Sequence, residues 1–224
     1  EINYRDWSSD VCSSDLVPAF LPWVSAECCV MVYEYSLAHG AAHRAAPRSN
    51  FLGRVFVLRL TLHVDGPEEG DPQSPIPLSA WEAFARVLEG ELASLYPDIA
   101  RCGAVELSVT LLGADEMQSV NREYRECDEP TDVLSFPLWE EGGRFAPDGA
   151  MTELLPLGDI LICPEAMERL HGELSREEAF CLMLAHGFLH LLAWDHDTAE
   201  RESAMWKRQD AIKDRLLDVL KGVL

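Results

Sequence analysis

The sequence predicts an α/β (α+β) fold in which a single small mixed sheet packs on helices. Three observations carry this expectation. Short runs of aliphatic and β-branched residues alternate with longer segments of helical periodicity. Ser79/Glu82, Ser175/Glu178 and Asp197/Glu200 each have the spacing of a capping box that opens a helix. With 48% hydrophobic and 25% charged residues, 224 residues suffice for one sizeable core. No internal repeat is present.

In order, VFVLRLTLHV (55–64) alternates as a strand does. A loop rich in Pro, Gly and Asp leads to SAWEAFARVLEGELASLY (79–96), a helix that stops before Pro97. VELSVTLL (105–112) is a second strand, and ADEMQSVNREYREC (114–127) a helix with Met117, Val120 and Tyr124 on one face. TDVLSFPLW (131–139) reads as a third strand whose Pro137 marks an edge or a strand end. EEGGRFAPDGAMTE (140–153) is an exposed acidic loop. LGDILIC (157–163) is a fourth strand, followed by PEAMERLHGEL (164–174), a helix with Pro164 in its tolerant first turn. SREEAFCLMLAHGFLHLLAW (175–194) is the most apolar helix of the chain, and TAERESAMWKRQDAIKDRLLDVL (198–220) the last.

Residues 55–224 are therefore expected to form one domain. Residues 1–54 are expected to be a non-native extension. DWSSDVCSSDL (6–16) resembles the translation of a sequencing-library adapter, making residues 1–16 adapter-like, and 17–54 show no usable periodicity. The apolar run LVPAFLPWVSAECCVMVY (16–33) is broken by Pro18, Pro22 and Glu27, so no membrane span is expected. Seven cysteines without a CxxC spacing argue against a disulfide framework or zinc ribbon and for a reducing cytoplasm. A net charge of −21 opposes loose adhesion to nucleic acid or anionic membrane. A polyanionic substrate must then be held by a local site or delivered by a partner, and no DNA partner is expected.

The stretch HGFLHLLAWDHD (186–197) holds three of the seven histidines. His186 and His190 are four residues apart, so they share one helix face about 6 Å apart. His196 can join them only if the chain turns after Leu192. Three neutral imidazoles with an open fourth position suit a catalytic zinc ion, Zn2+, one per chain, at the end of the apolar helix. A single histidine on such a face is more often a hydrogen-bonded core residue, but burying three without partners is costly. Zinc peptidases share the spacing and add a glutamate after the first histidine as general base. Here that position is Gly187, which cannot transfer a proton. If the turn requires positive φ at Ala193, alanine costs on the order of 1 kcal/mol there.

HGFLHLLAWDH resembles the signature HGxLHLxGYDH of the YbeY family, the bacterial endoribonucleases or rRNA maturation factors. Ala193 and Trp194 stand where glycine and tyrosine are usual. NREYRECDEPTDVLSFP (121–137) and LGDILI (157–162) match in the same order, and the resemblance covers 55–224 but not 1–54. It implies that His186, His190 and His196 bind zinc and that Arg125 is a functional arginine. It further implies a zinc-dependent endoribonuclease of single-stranded RNA, acting in 16S ribosomal RNA maturation and ribosome quality control. The implied partners are ribosomal RNA, the small ribosomal subunit and its assembly factors.

Two other functions remain open at this stage: a metallopeptidase-like zinc hydrolase, and a non-catalytic ribosome-assembly factor with structural zinc. Arg125 suits a bidentate phosphate clamp, and equally a solvated ion pair among Glu123, Glu126, Asp128 and Glu129. Asp195 could orient a ligand histidine, move a proton or form the turn. Asp132 and Ser135 either face a cleft or are solvated, and Asp159 reads as a sheet-end hydrogen-bonding residue. Trp194 reads as packing at the turn, with base stacking as the alternative. His39, His43, His63 and His171 lack ligand spacing and read as surface residues.

Overall fold

The computed structural model describes residues 58–66, 74–147 and 154–223. The expected extension at 1–54 and the start of the first predicted strand lie outside these residues.

Strands β1 (Leu60–Asp65), β2 (Ala104–Leu111), β3 (Val133–Pro137) and β4 (Leu154–Ile162) form one sheet in the order β1-β2-β4-β3. β1, β2 and β4 run parallel, and β3 pairs antiparallel with β4 at the edge. Pro137 ends that edge strand, where its missing N–H breaks no ladder. Between Glu106 and Ser108 of β2 the pairing with β4 slips by one residue. Gly158 absorbs the bulge at φ +133°, and a Cβ there would run into the Phe136 backbone oxygen.

The described residues also form five α-helices: α1 (Trp81–Leu95), α2 (Ala114–Arg125), α3 (Pro164–Leu170), α4 (Arg176–Leu191) and α5 (Ala199–Val223). Every residue of α4 from Ala179 to Leu189 is buried, because the helix packs on β3 and β4 on one side and α5 on the other. Phe84, Leu88, Leu92, Leu107, Ile160, Phe180 and Phe188 are fully buried in this core. A second apolar cluster of Met117, Leu134, Leu161, Cys163 and Ala166 lies under α2.

Of the three predicted capping boxes, the structure forms one. Ser175 accepts from the Glu178 amide and Glu178 reaches back to the Ser175 amide. At α1 a 3-10 turn (Leu78–Ala80) occupies the expected N-terminus, so Ala80 is the cap and Glu82 pairs instead with Arg86 at 2.9 Å. At α5 the Thr198 hydroxyl accepts the Arg201 amide, while the Asp197 carboxylate takes the Arg201 guanidinium. A neighbouring cation outcompeted the local backbone in both places.

One buried charge fixes α5 against α1. Glu91, 3% exposed, receives Arg208 at 3.1 Å and Arg215, both from α5. Removing one partner of such a pair leaves an uncompensated charge, so the clamp holds the helix in place.

Candidate metal centre

The turn after α4 decides where His196 goes. The Ala193 amide donates to the His190 carbonyl at 2.9 Å and the Trp194 amide to the Leu189 carbonyl at 3.0 Å. These two bonds make a Schellman motif, which needs a left-handed residue just past the helix. Ala193 fills that place at φ 57°. Left-handed strain in a non-glycine residue is about 1–2 kcal/mol, and glycine's extra freedom when unfolded takes back about 0.4–1. Ala193→Gly should thus stabilise the protein by about 0.5–1 kcal/mol, raising Tm by a few degrees in a calorimetric scan. An unchanged or lower Tm would show that the turn is not strained.

The turn returns His196 to the two helix histidines. One ring nitrogen from each of His186, His190 and His196 lies within 4.8 Å of the others. The Nε2 atoms of His186 and His190 are 3.0 Å apart. Ring centroids are separated by 4.5 Å for His186–His190, 5.6 Å for His186–His196 and 5.3 Å for His190–His196. Two imidazole lone pairs at 3.0 Å repel each other unless a proton or a cation lies between them. Tetrahedral zinc with bonds of about 2.0–2.1 Å spaces its nitrogen donors by about 3.3 Å. The three rings therefore fit such an ion with small side-chain movements.

Their protonation also suits a metal. Burial, followed by the neighbouring imidazoles, pushes the His186 pKa down to about 3. The His190 pKa is also pushed to about 3, first by burial, then by His196, and then by the Arg125 guanidinium. Both rings are neutral at physiological pH, the form that ligates.

Arg125 stands in the last turn of α2, its side chain exposed. Its guanidinium is near enough to help lower the His190 pKa, after burial and His196. Arg122, one turn earlier in the same helix, pairs with Asp128 at 2.9 Å. Gly187 faces the sheet: a Cβ there would meet Ile160 Cγ2 at 2.8 Å and Ser135 Oγ at 3.1 Å. The absent glutamate thus has a packing cause, since α4 lies too close to β4 for a side chain at that position. Asp195 accepts the His196 amide at 2.8 Å, a turn-forming bond. The Tyr96 hydroxyl donates to the Leu192 carbonyl at 3.1 Å and also bonds the Trp194 side chain, which holds Trp194 in the turn. Asp159 bonds Ser108 across the sheet, and burial raises its pKa against that bond.

One expectation is corrected. His171 is not a surface residue but 7% exposed, with Nε2 2.8 Å from the Asp132 carboxylate. The chain doubles back from α3 into α4 at this point and presses the ring onto the end of β3; sequence spacing carries no trace of a partner 39 positions away. Asp132 is accordingly buried rather than solvated; burial pushes its pKa up, but the bonds from His171, Val133 and Thr131 outweigh that and hold it low.

Sequence reasoning missed two residues of α5. Gln209 Oε1 lies 2.8 Å from His186 Nδ1, and both residues are buried. The Trp206 ring stacks on His196 at 5.4 Å and on His186 at 5.9 Å, within 25° of parallel in each case. A signal existed: Met205, Gln209, Ile212, Leu216 and Leu220 form one buried stripe in which only Gln209 is polar.

Comparison with known proteins identifies the family. A family model described as Endoribonuclease YbeY matches residues 77–217, a span that includes Arg125 and all three histidines. The Endoribonuclease YbeY of Halalkalibacterium halodurans is 41% identical over 126 residues, covering 54% of this chain and 77% of that protein. That of Bacillus subtilis is 44% identical over 115 residues, 49% of this chain and 71% of the relative. The Geobacillus kaustophilus protein of the same name is 37% identical over 162 residues, which spans 70% of this chain and 97% of that relative. A match that runs from the start of α1 into α5 and carries the whole histidine cluster shows that the chain belongs to the endoribonuclease YbeY family.

Proposed function

We propose that this chain is a zinc-dependent endoribonuclease that cleaves single-stranded RNA in the maturation of 16S ribosomal RNA and in ribosome quality control. The observation that carries the reading is the convergence of His186, His190 and His196 to within 4.8 Å with the charge of Arg125 beside them. Family membership supplies the reaction class. Activity is assigned to the domain at 55–224, working in the cytoplasm with the small ribosomal subunit and its assembly factors.

Phosphodiester hydrolysis requires an attacking oxygen and relief of charge on the phosphoryl oxygens. Zinc, when bound, supplies both a water of near-neutral pKa and Lewis-acid polarisation. His186, His190 and His196 would hold it, each through one ring nitrogen. Arg125 forks two parallel N–H donors onto the phosphoryl oxygens and stabilises the charge that grows on them. Gly187 contributes no proton acceptor, which separates this chemistry from that of the glutamate-dependent peptidases.

A net charge of −21 opposes loose adhesion of RNA, so the substrate has to be held at local cations such as Arg125. Unaided binding is weak and falls steeply with salt, so docking on the ribosomal subunit supplies the targeting.

Arg125→Ala should lower cleavage of a single-stranded RNA by about 10²-fold or more, in line with loss of one preorganised donor to the transition state. Zinc content and melting temperature should stay at wild-type values, because the side chain is exposed. Full activity in this variant would remove Arg125 from the mechanism.

A further inference from the structure

We propose that Gln209 is the positioning residue of the metal centre, locking His186 in the one tautomer that can ligate. The inference rests on the zinc reading above and concerns a residue of α5 that binds no metal itself.

Gln209 lies 6% exposed in a stripe that is otherwise Met205, Ile212, Leu216 and Leu220. A buried amide among such neighbours costs free energy unless it is hydrogen-bonded. Its Oε1 atom sits 2.8 Å from His186 Nδ1. An amide oxygen only accepts, so the proton of the neutral imidazole must be on Nδ1. His186 Nε2 then carries the lone pair, and this is the atom 3.0 Å from His190 Nε2. The opposite tautomer would point a proton into the cluster and leave a lone pair facing the glutamine oxygen.

Two further features of α5 keep this contact in register. Arg208, next to Gln209, and Arg215 are clamped by the buried carboxylate of Glu91 on α1. One turn before Gln209, Trp206 lies against His186 and His196, its Nε1–H donating to Glu202 at 3.1 Å. A ring wall limits rotation of the imidazoles, while the glutamine selects which nitrogen faces inward. Histidine ligands generally depend on such an outer partner for orientation and basicity.

The test uses the full chain as wild type, Gln209→Leu and Gln209→Glu. Zinc affinity is measured by competition with a chromophoric chelator, and the His186 tautomer by 15N chemical shifts in metal-free protein. Gln209→Leu should bind zinc about 10–100-fold more weakly, and Gln209→Glu, which still accepts from Nδ1–H, should recover most of that loss. Wild-type His186 should be the Nδ1–H tautomer, and the leucine variant should shift away from it. A glutamine that merely packs would lower the melting temperature without moving tautomer or affinity.

Unchanged zinc affinity in Gln209→Leu, or equal loss in both variants, overturns the inference alone. A wild-type chain that binds no zinc overturns the metal reading and the inference with it. Should the leucine variant not fold, the wild-type tautomer decides: an Nε2–H His186 contradicts the proposal and an Nδ1–H His186 supports it.

Discussion

Replacing His186 and His190 together by alanine should take bound zinc from about one ion per chain to none and lower cleavage of single-stranded RNA by at least about 10³-fold. Both rings are held neutral by burial, and their Nε2 atoms are 3.0 Å apart. Neither loss can be covered by the other histidines among the described residues, since His63 pairs with Glu106 and His171 with Asp132. One remaining imidazole, His196, is too few ligands for a tight zinc site. A stability cost accompanies the chemical one. Gln209 loses the donor its oxygen was facing, and a buried acceptor left alone costs about 1–3 kcal/mol. Metal analysis beside circular dichroism separates the effects: a folded variant that keeps stoichiometric zinc would refute the ligand assignment.

Gly187→Glu, the change that restores the zinc-peptidase motif on paper, should give a protein that unfolds rather than one that cleaves peptides. The first side-chain carbon would stand 2.8 Å from Ile160 Cγ2 and 3.1 Å from Ser135 Oγ, with the sheet directly behind them. Overpacking of this kind costs about 1–3 kcal/mol. A carboxylate buried at the same place without a cation adds several kcal/mol unless it takes up a proton. The sum rivals the whole stability of a domain, about 5–15 kcal/mol. Gly187→Ala, which adds the clash but no charge, should be folded yet less stable by about 1–3 kcal/mol in urea titration. A wild-type melting curve for the glutamate variant would show that the position is free for a general base.

What could be read from the sequence was what local chemistry controls. The histidine spacing at 186, 190 and 196, the strand-ending Pro137, the Ser175/Glu178 box and the strained Ala193 all depend on neighbours a few residues away, and all take the expected form. What could not be read depends on distant partners. Arg86 and Arg201 drew Glu82 and Asp197 out of the boxes their spacing suggested. His171 found Asp132 through a reversal of the chain, and Gln209 reached His186 across a helix pair. The glycine after the first histidine looked like a missing catalytic group. In three dimensions it lies where α4 packs against the sheet too tightly for a Cβ.

Metal dependence and substrate class together decide whether these three histidines serve phosphodiester hydrolysis. The measurement is to incubate the chain with single-stranded RNA and with casein in parallel, as purified, after chelation, and after zinc is restored. RNA cleavage should disappear on chelation, return with zinc and be absent in His190→Ala, with casein left intact throughout. Casein cleavage that is lost in His190→Ala, or RNA cleavage that survives complete removal of metal, would contradict that role.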